Sequence, residues 1–94
     1  MNLVVKQTNT FKKSVKKLSK QQKEELDEAV KDILSNPLIG IQKRGDLSFL
    51  SVYKFKMNKQ LTLLGYNYEN KKLVLTLLQV GSHENFYRDI NREF

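Results

Sequence analysis

The sequence contains no cysteine and a single histidine. Without cysteine there is neither a disulfide framework nor a thiolate metal centre, and one imidazole cannot build a histidine-rich zinc site. No apolar stretch approaches the roughly 20 residues of a membrane-spanning helix. The first residues, Met1-Asn2-Leu3-Val4-Val5-Lys6, lack the apolar core of a signal peptide. A cytoplasmic protein with no membrane partner is therefore expected. Ser-His-Asp order, a glycine-rich phosphate loop and a paired-carboxylate motif are all missing, and so are internal repeats and low-complexity tracts. Nothing in the residues calls for a cofactor. Acidic residues are few: 17 lysines and arginines stand against 10 aspartates and glutamates, for a net charge of +7. Such a balance suits a polyanionic partner, either a nucleic acid or an acidic protein.

What is present is enough for one folded unit. A hydrophobic content of 39% with interspersed charge predicts a single globular domain over residues 1–94 with one core. Leu3-Val4-Val5 predicts a short strand, and Thr8-Asn9-Thr10 supplies a helix cap. Phe11, Val15 and Leu18 then recur at helical spacing among Lys12, Lys13, Lys16, Lys17 and Lys20, which predicts a basic amphipathic helix. Such a helix fits a solvated face and a surface for nucleic acid or an acidic partner about equally. Ser19 and Gln22 have capping-box spacing, so a second helix is expected from about Lys20. Its stripe is Leu26, Ala29, Val30, Ile33 and Leu34, and Asn36-Pro37 stops it. The two helices should form a hairpin with one shared apolar face.

From Pro37 to Asp46 the sequence predicts a loop with a basic centre, Lys43-Arg44. Phe49 to Met57 alternates, with Phe49, Tyr53, Phe55 and Met57 on one parity and Leu50, Val52, Lys54 and Lys56 on the other. One face should pack while the second displays the two lysines. Turns at Met57-Asn58-Lys59-Gln60 and Glu69-Asn70-Lys71-Lys72 flank a strand from Leu61 to about Tyr68. The apolar run Leu73 to Val80 is expected to be a strand covered on both faces or central in its sheet. It stops at Gly81 and delivers Ser82-His83-Glu84-Asn85-Phe86-Tyr87-Arg88, where Ser82 can cap a short helix from Glu84 to Asn91.

His83 is the one side chain whose ordinary pKa lies near neutrality, so proton transfer at neutral pH would fall first to it. Around it the sequence offers cations: Lys54, Lys56, Lys43, Arg44 and Arg88. Metal-free cleavage of RNA requires little more, because the 2′-hydroxyl of the substrate is the nucleophile. The protein must take up one proton, hold the added phosphorane charge and protonate the leaving oxygen. The same residues also fit a capped surface turn and a solvated strand face.

The order of strand, helical hairpin, three-stranded meander and charged C-terminal tail resembles the RelE/ParE superfamily of bacterial toxin-antitoxin toxins over essentially the whole chain. Val52-Tyr53-Lys54-Phe55-Lys56-Met57 looks like the RelE strand whose two alternate lysines contact RNA phosphate. Val80-Gly81-Ser82-His83-Glu84 looks like the end of the last strand, where RelE carries a catalytic arginine and the YafQ and YoeB branches carry a histidine. In the YafQ-like pattern an aromatic follows four residues later, as Tyr87 does here. Gly40 to Leu47 is similar to the family's Gly-rich, Lys-containing approach to the sheet.

The resemblance implies an α+β fold: an N-terminal strand, a helical hairpin, a three-stranded antiparallel meander, and a short C-terminal helix or tail. It further implies a type II toxin that acts as a metal-independent endoribonuclease on ribosome-bound mRNA and is neutralised by a cognate antitoxin. The catalytic set would be His83, Lys54, Lys56 and Tyr87, with Lys43, Arg44 and Arg88 gripping RNA. RelE-type nucleases also use an arginine on the middle strand of the meander, and Leu61 to Tyr68 contains neither arginine nor lysine. A ParE-like alternative therefore stands beside the first: non-enzymatic inhibition of DNA gyrase, or a toxin acting on DNA.

Overall fold

The computed structural model describes residues 3–94; Met1 and Asn2, part of the N-terminal segment read above, lie outside the described residues. The chain runs β1 (Val4–Gln7), α1 (Asn9–Lys16), α2 (Lys20–Ser35), β2 (Ile41–Gln42), a 3-10 turn at Gly45–Leu47, β3 (Ser51–Met57), β4 (Gln60–Glu69), β5 (Val74–Gly81) and α3 (His83–Glu93). The strands form one sheet in the order β1-β5-β4-β3-β2. Strands β3, β4 and β5 are the expected antiparallel meander, and β1 lies parallel to β5. The helical hairpin carries the chain from β1 at one edge of the sheet to β2 at the other, and the meander then returns it to lie beside β1. Among the described residues no helix is long and apolar enough to cross a membrane.

The local signals act where they were read. Thr8 Oγ1 accepts from Phe11 N at 3.0 Å and starts α1. At α2 the Ser19 hydroxyl accepts from Gln22 N, while Gln22 Oε1 accepts from Ser19 N, completing a capping box. Both helices bury their apolar stripes on one face of the sheet: Phe11, Leu26, Ala29 and Ile33 pack with Met57, Leu64, Tyr66, Leu75, Leu77 and Val80. The turn between β3 and β4 places Asn58 and Lys59 at φ 53° and 66°, the left-handed pair that a two-residue hairpin loop uses.

Three expectations are corrected. The stretch Pro37–Asp46 is not all loop: Ile41 and Gln42 pair with Val52 and Ser51, and Gly45 opens the 3-10 turn. The lysine-bearing parity of β3 is not a wholly solvated face. Its first half, Leu50 and Val52, is buried with Leu63, Leu78, Phe86 and Ile90 in a second core on the opposite side of the sheet. Helix α3 covers that half and leaves Lys54 and Lys56 uncovered. Finally, the last helix begins one residue earlier than predicted, at His83, and reaches Glu93.

A register shift at Gly65/Tyr66 sets two β5 residues, Leu77 and Gln79, opposite consecutive β4 residues. The extra residue is Leu78, which faces α3 by ordinary alternation, and the bulge returns Val80 to the hairpin side with Leu75 and Leu77. Gln79 beside it is buried, accepts from Ser14 Oγ of α1 at 2.8 Å and donates to Asp89 of α3 at 2.7 Å. One amide thus ties both helical layers to the sheet.

Tyr66 does similar work for the segment after α2. Its fully buried hydroxyl donates to Pro37 O at 2.7 Å and accepts from Gly40 N at 2.9 Å. A Cβ on Gly40 would lie 2.7 Å from that hydroxyl, so the backbone can approach this closely only as glycine. Burial raises the Tyr66 pKa above the ordinary tyrosine value, and the Gly40 hydrogen bond lowers it in part. The phenol is neutral in both folded and unfolded chains at neutral pH, so its contribution is complete below about pH 10 and is lost as pH rises further. We expect Tyr66→Phe, which leaves Pro37 O and Gly40 N unpartnered, to cost about 1–3 kcal/mol. Urea unfolding between pH 8 and 11 checks both points, because the wild type should lose more stability than Tyr66→Phe over the alkaline limb.

Candidate functional site

The site is built where β5 ends and α3 begins. Ser82 is extended and its hydroxyl accepts from Asn85 N, so helical geometry starts at His83 and holds that residue on the exposed first turn. One helical turn later Tyr87 lies on the same side, as i, i+4 spacing requires. The His83 and Tyr87 rings meet edge-on, with centroids 5.1 Å apart. Tyr87 in turn meets Phe86 edge-on at 5.1 Å, and its half-buried ring joins the α3-side core.

The orientation of α3 depends on Phe86. This fully buried ring rests on Gly65 of β4, where a Cβ would come within 2.5 Å of Phe86 Cζ and 2.9 Å of Leu50 Cδ1. An isolated glycine inside an apolar strand is the sequence sign of such a close approach. It is a sign that the reading of Leu61 to Tyr68 did not use.

Lys43 arrives from the other side. The short β2 pairing and the bond from Lys43 N to Leu50 O, 2.8 Å, carry the chain along β3. Its Nζ lies 5.6 Å from the centroid of the Tyr87 ring, a cation–π contact of the kind worth about 0.5–1 kcal/mol at an exposed site. His83, Tyr87 and Lys43 are therefore one cluster.

Lys54 and Lys56 share the α3 side of the sheet. Lys54 pairs with Leu63, and Leu63 pairs with Gly81, so Lys54 and the end of β5 occupy one row across three strands. Two strand spacings put the Lys54 backbone about 10 Å from Gly81, with His83 just beyond. Lys56 stands opposite Leu61 in the next row on this face, past the end of β5. Between the lysines and the histidine, β4 presents the buried Leu63 and the exposed Leu61 rather than a cation.

The remaining candidates are less engaged. Arg44 is exposed and has no hydrogen-bond or ion-pair partner among the described residues. Arg88 is exposed beside Asp89 at 3.7 Å, and helical spacing turns it about 100° from Tyr87. Among the described residues no group of three or more His, Cys, Asp or Glu side chains is placed to hold a metal ion. Chemically, the arrangement offers one exposed imidazole, an aromatic ring that orients it, and three lysines on the same side to attract a phosphodiester.

Comparison with known proteins agrees with this architecture. The family model for the ParE-like toxin of type II bacterial toxin-antitoxin systems matches residues 5–91. No curated protein of similar sequence was found. The fold resembles the toxin in the intact E. coli RelBE toxin-antitoxin complex, with 22% identity, a TM-score of 0.68, and coverage of 86% of this chain and 96% of that chain. It also resembles a doubly substituted E. coli RelE toxin in the free state, at 22% identity and TM-score 0.70 over 100% of both chains. The archaeal RelE-RelB complex from Pyrococcus horikoshii matches at 19% identity and TM-score 0.61, covering 87% of this chain and 96% of that chain. Likeness at these identities is likeness of fold.

If Phe86 sets the helix, crowding its seat should move the cluster. Gly65→Ala is expected to cost about 1–3 kcal/mol by overpacking and to shift the His83 and Tyr87 ring resonances together in NMR spectra. Unshifted rings in a folded variant would show that the seat does not position them.

Proposed function

Because the chain belongs to the ParE-like toxin family of type II bacterial toxin-antitoxin systems, we propose that its toxic activity is cleavage of mRNA, with the ribosome holding the substrate and a cognate antitoxin preventing the reaction. The observation that carries this reading is the placement of His83: the one imidazole of the chain is exposed beside Tyr87, on the side of the sheet that also displays Lys54 and Lys56. A gyrase-binding surface has no requirement for such a set.

In this reading the scissile phosphate lies between the Lys54–Lys56 strand and the start of α3. The 2′-oxygen of the substrate bonds to phosphorus while the bond from phosphorus to the 5′-oxygen breaks, leaving a 2′,3′-cyclic phosphate and a 5′-hydroxyl. One proton leaves the 2′-hydroxyl and one arrives at the 5′-oxygen. His83 carries one of these transfers. Lys54 and Lys56 hold the charge that accumulates on the non-bridging oxygens. Tyr87, with Lys43 near its ring, orients the imidazole, and Lys43, Arg44 and Arg88 attract the flanking backbone.

A specific feature supports a second reading. Leu61 and Leu63 occupy the middle strand where RelE-type nucleases place an arginine, which suits ParE-like inhibition of DNA gyrase through the same C-terminal segment. The two readings part on one substitution. On ribosome-bound mRNA, purified His83→Ala should cut about 10²- to 10⁴-fold more slowly, and Lys54→Ala and Lys56→Ala should also lose activity. Undiminished growth arrest by His83→Ala, with loss of DNA supercoiling by gyrase in the same cells, would transfer the function to gyrase.

A further inference from the structure

Among the large hydrophobic side chains exposed to solvent, Leu61 stands apart by its position. The others lie on the edge strands β1 and β2, in the connection after α2 or at the C-terminus, whereas Leu61 is on the inner strand β4 and is still 55% exposed. Two features of the fold uncover it. Strand β5 stops at Gly81 opposite Leu63, one row short of Leu61, and α3 lies over Leu50, Val52 and Leu63 instead. Strand alternation puts the Leu61 side chain on the α3 side together with that of Leu63. Its backbone stands directly opposite Lys56 and diagonal to both Lys54 and Gly81, about 8 Å from each. An apolar group is thus set between two exposed lysines and the start of the helix that carries His83.

We infer that Leu61 is the platform on which a nucleobase beside the scissile phosphate packs, and that it favours a purine there. The inference rests on the proposed RNA-cleaving function and adds a specificity residue to the same site. With the phosphate held between Lys54, Lys56 and the start of α3, a base attached to it reaches the floor of that gap, and the floor is Leu61. Every base presents a flat face, and packing it on a leucine removes apolar surface of both from water. A purine covers more of the leucine than a pyrimidine does. Leu61 has no donor or acceptor with which to read a base edge, so it selects by size, and adenine and guanine are taken alike. A protein partner fits this place less well. Protein interfaces centre on apolar and aromatic anchors with charge depleted around them, and Leu61 is a single apolar group flanked by lysines.

Single-turnover cleavage of ribosome-bound mRNA by the full chain is the test, with a purine, a pyrimidine or an abasic nucleotide placed in turn on each side of the cleavage position. At one of the two positions the wild type should cut the purine message fastest and the abasic message slowest, over a span of about fivefold, the lower end of what base stacking on an aromatic ring is worth. Leu61→Ala should cut the purine message about fivefold more slowly and lose its dependence on the base, so that the two losses do not add. Leu61→Phe, which offers a larger flat face, should keep that dependence. Leu61→Thr retains strand propensity and should behave like Leu61→Ala; thermal melts verify that all three variants are folded. Unaltered rates in folded Leu61→Ala, or an equal loss on every message including the abasic ones, would overturn the inference and leave the proposed function standing. Absence of cutting by the wild type would overturn both. A loss confined to antitoxin affinity would assign Leu61 to that partner and overturn the inference as well.

Discussion

The contact between Phe86 and the bare backbone of Gly65 is the constraint on which the candidate site depends. It lets α3 lie so close to the sheet that the second core, Leu50, Val52, Leu63, Leu78 and Ile90, closes around one aromatic ring. With the helix seated, Ser82 fixes where it starts, and His83 and Tyr87 leave it on the same side. Gln79 secures the far half through Asp89. A small sheet covered by a hairpin on one side and a single short helix on the other has few ways to hold an imidazole in a set direction. Here the direction follows from packing on either side of the residue, since the histidine itself is exposed.

The same arrangement divides the molecule into two surfaces of different character. On the α3 side, positive charge is interleaved with a titratable ring and with exposed Leu61 and Ile41, which suits a strand of nucleic acid held for chemistry. On the hairpin side, the lysines of α1 and of the start of α2 give way to the exposed carboxylates of α2 from Glu24 onward. Membership of the ParE-like toxin family supplies the setting: a toxin of a type II toxin-antitoxin system, restrained by a cognate antitoxin. The leucines of β4 between Lys54 and Gly81 concentrate the chemistry on fewer groups, so the account places its weight on His83 and the two β3 lysines.

Much of the fold was legible because its signals are local. Thr8, Ser19 and Ser82 cap the helices they were read as capping, Asn36-Pro37 ends α2, and Asn58-Lys59 turns the first hairpin of the meander. What escaped was set by distant partners. Strand β2 has two residues and exists through pairing with β3, so no periodicity could mark it. The alternation of β3 separated Leu50 and Val52 from Tyr53 and Phe55 correctly by face, but it could not show that a helix much later in the chain covers half of the lysine-bearing side. The Lys43–Tyr87 contact likewise joins two segments that meet only after the sheet is assembled. Gly65 was visible as an isolated glycine in an apolar strand, and its meaning depended on the ring that sits on it.

The central claim is that the histidine at the start of α3 serves phosphodiester chemistry, and the chemistry leaves a signature on its products. The most direct measurement is the identity of the RNA ends formed when the purified toxin is mixed with ribosomes carrying a defined mRNA. The account predicts fragments with 2′,3′-cyclic phosphate and 5′-hydroxyl ends, and none when the antitoxin is added first. Intact mRNA in that mixture, with gyrase losing its supercoiling activity at the same toxin concentration, would contradict it.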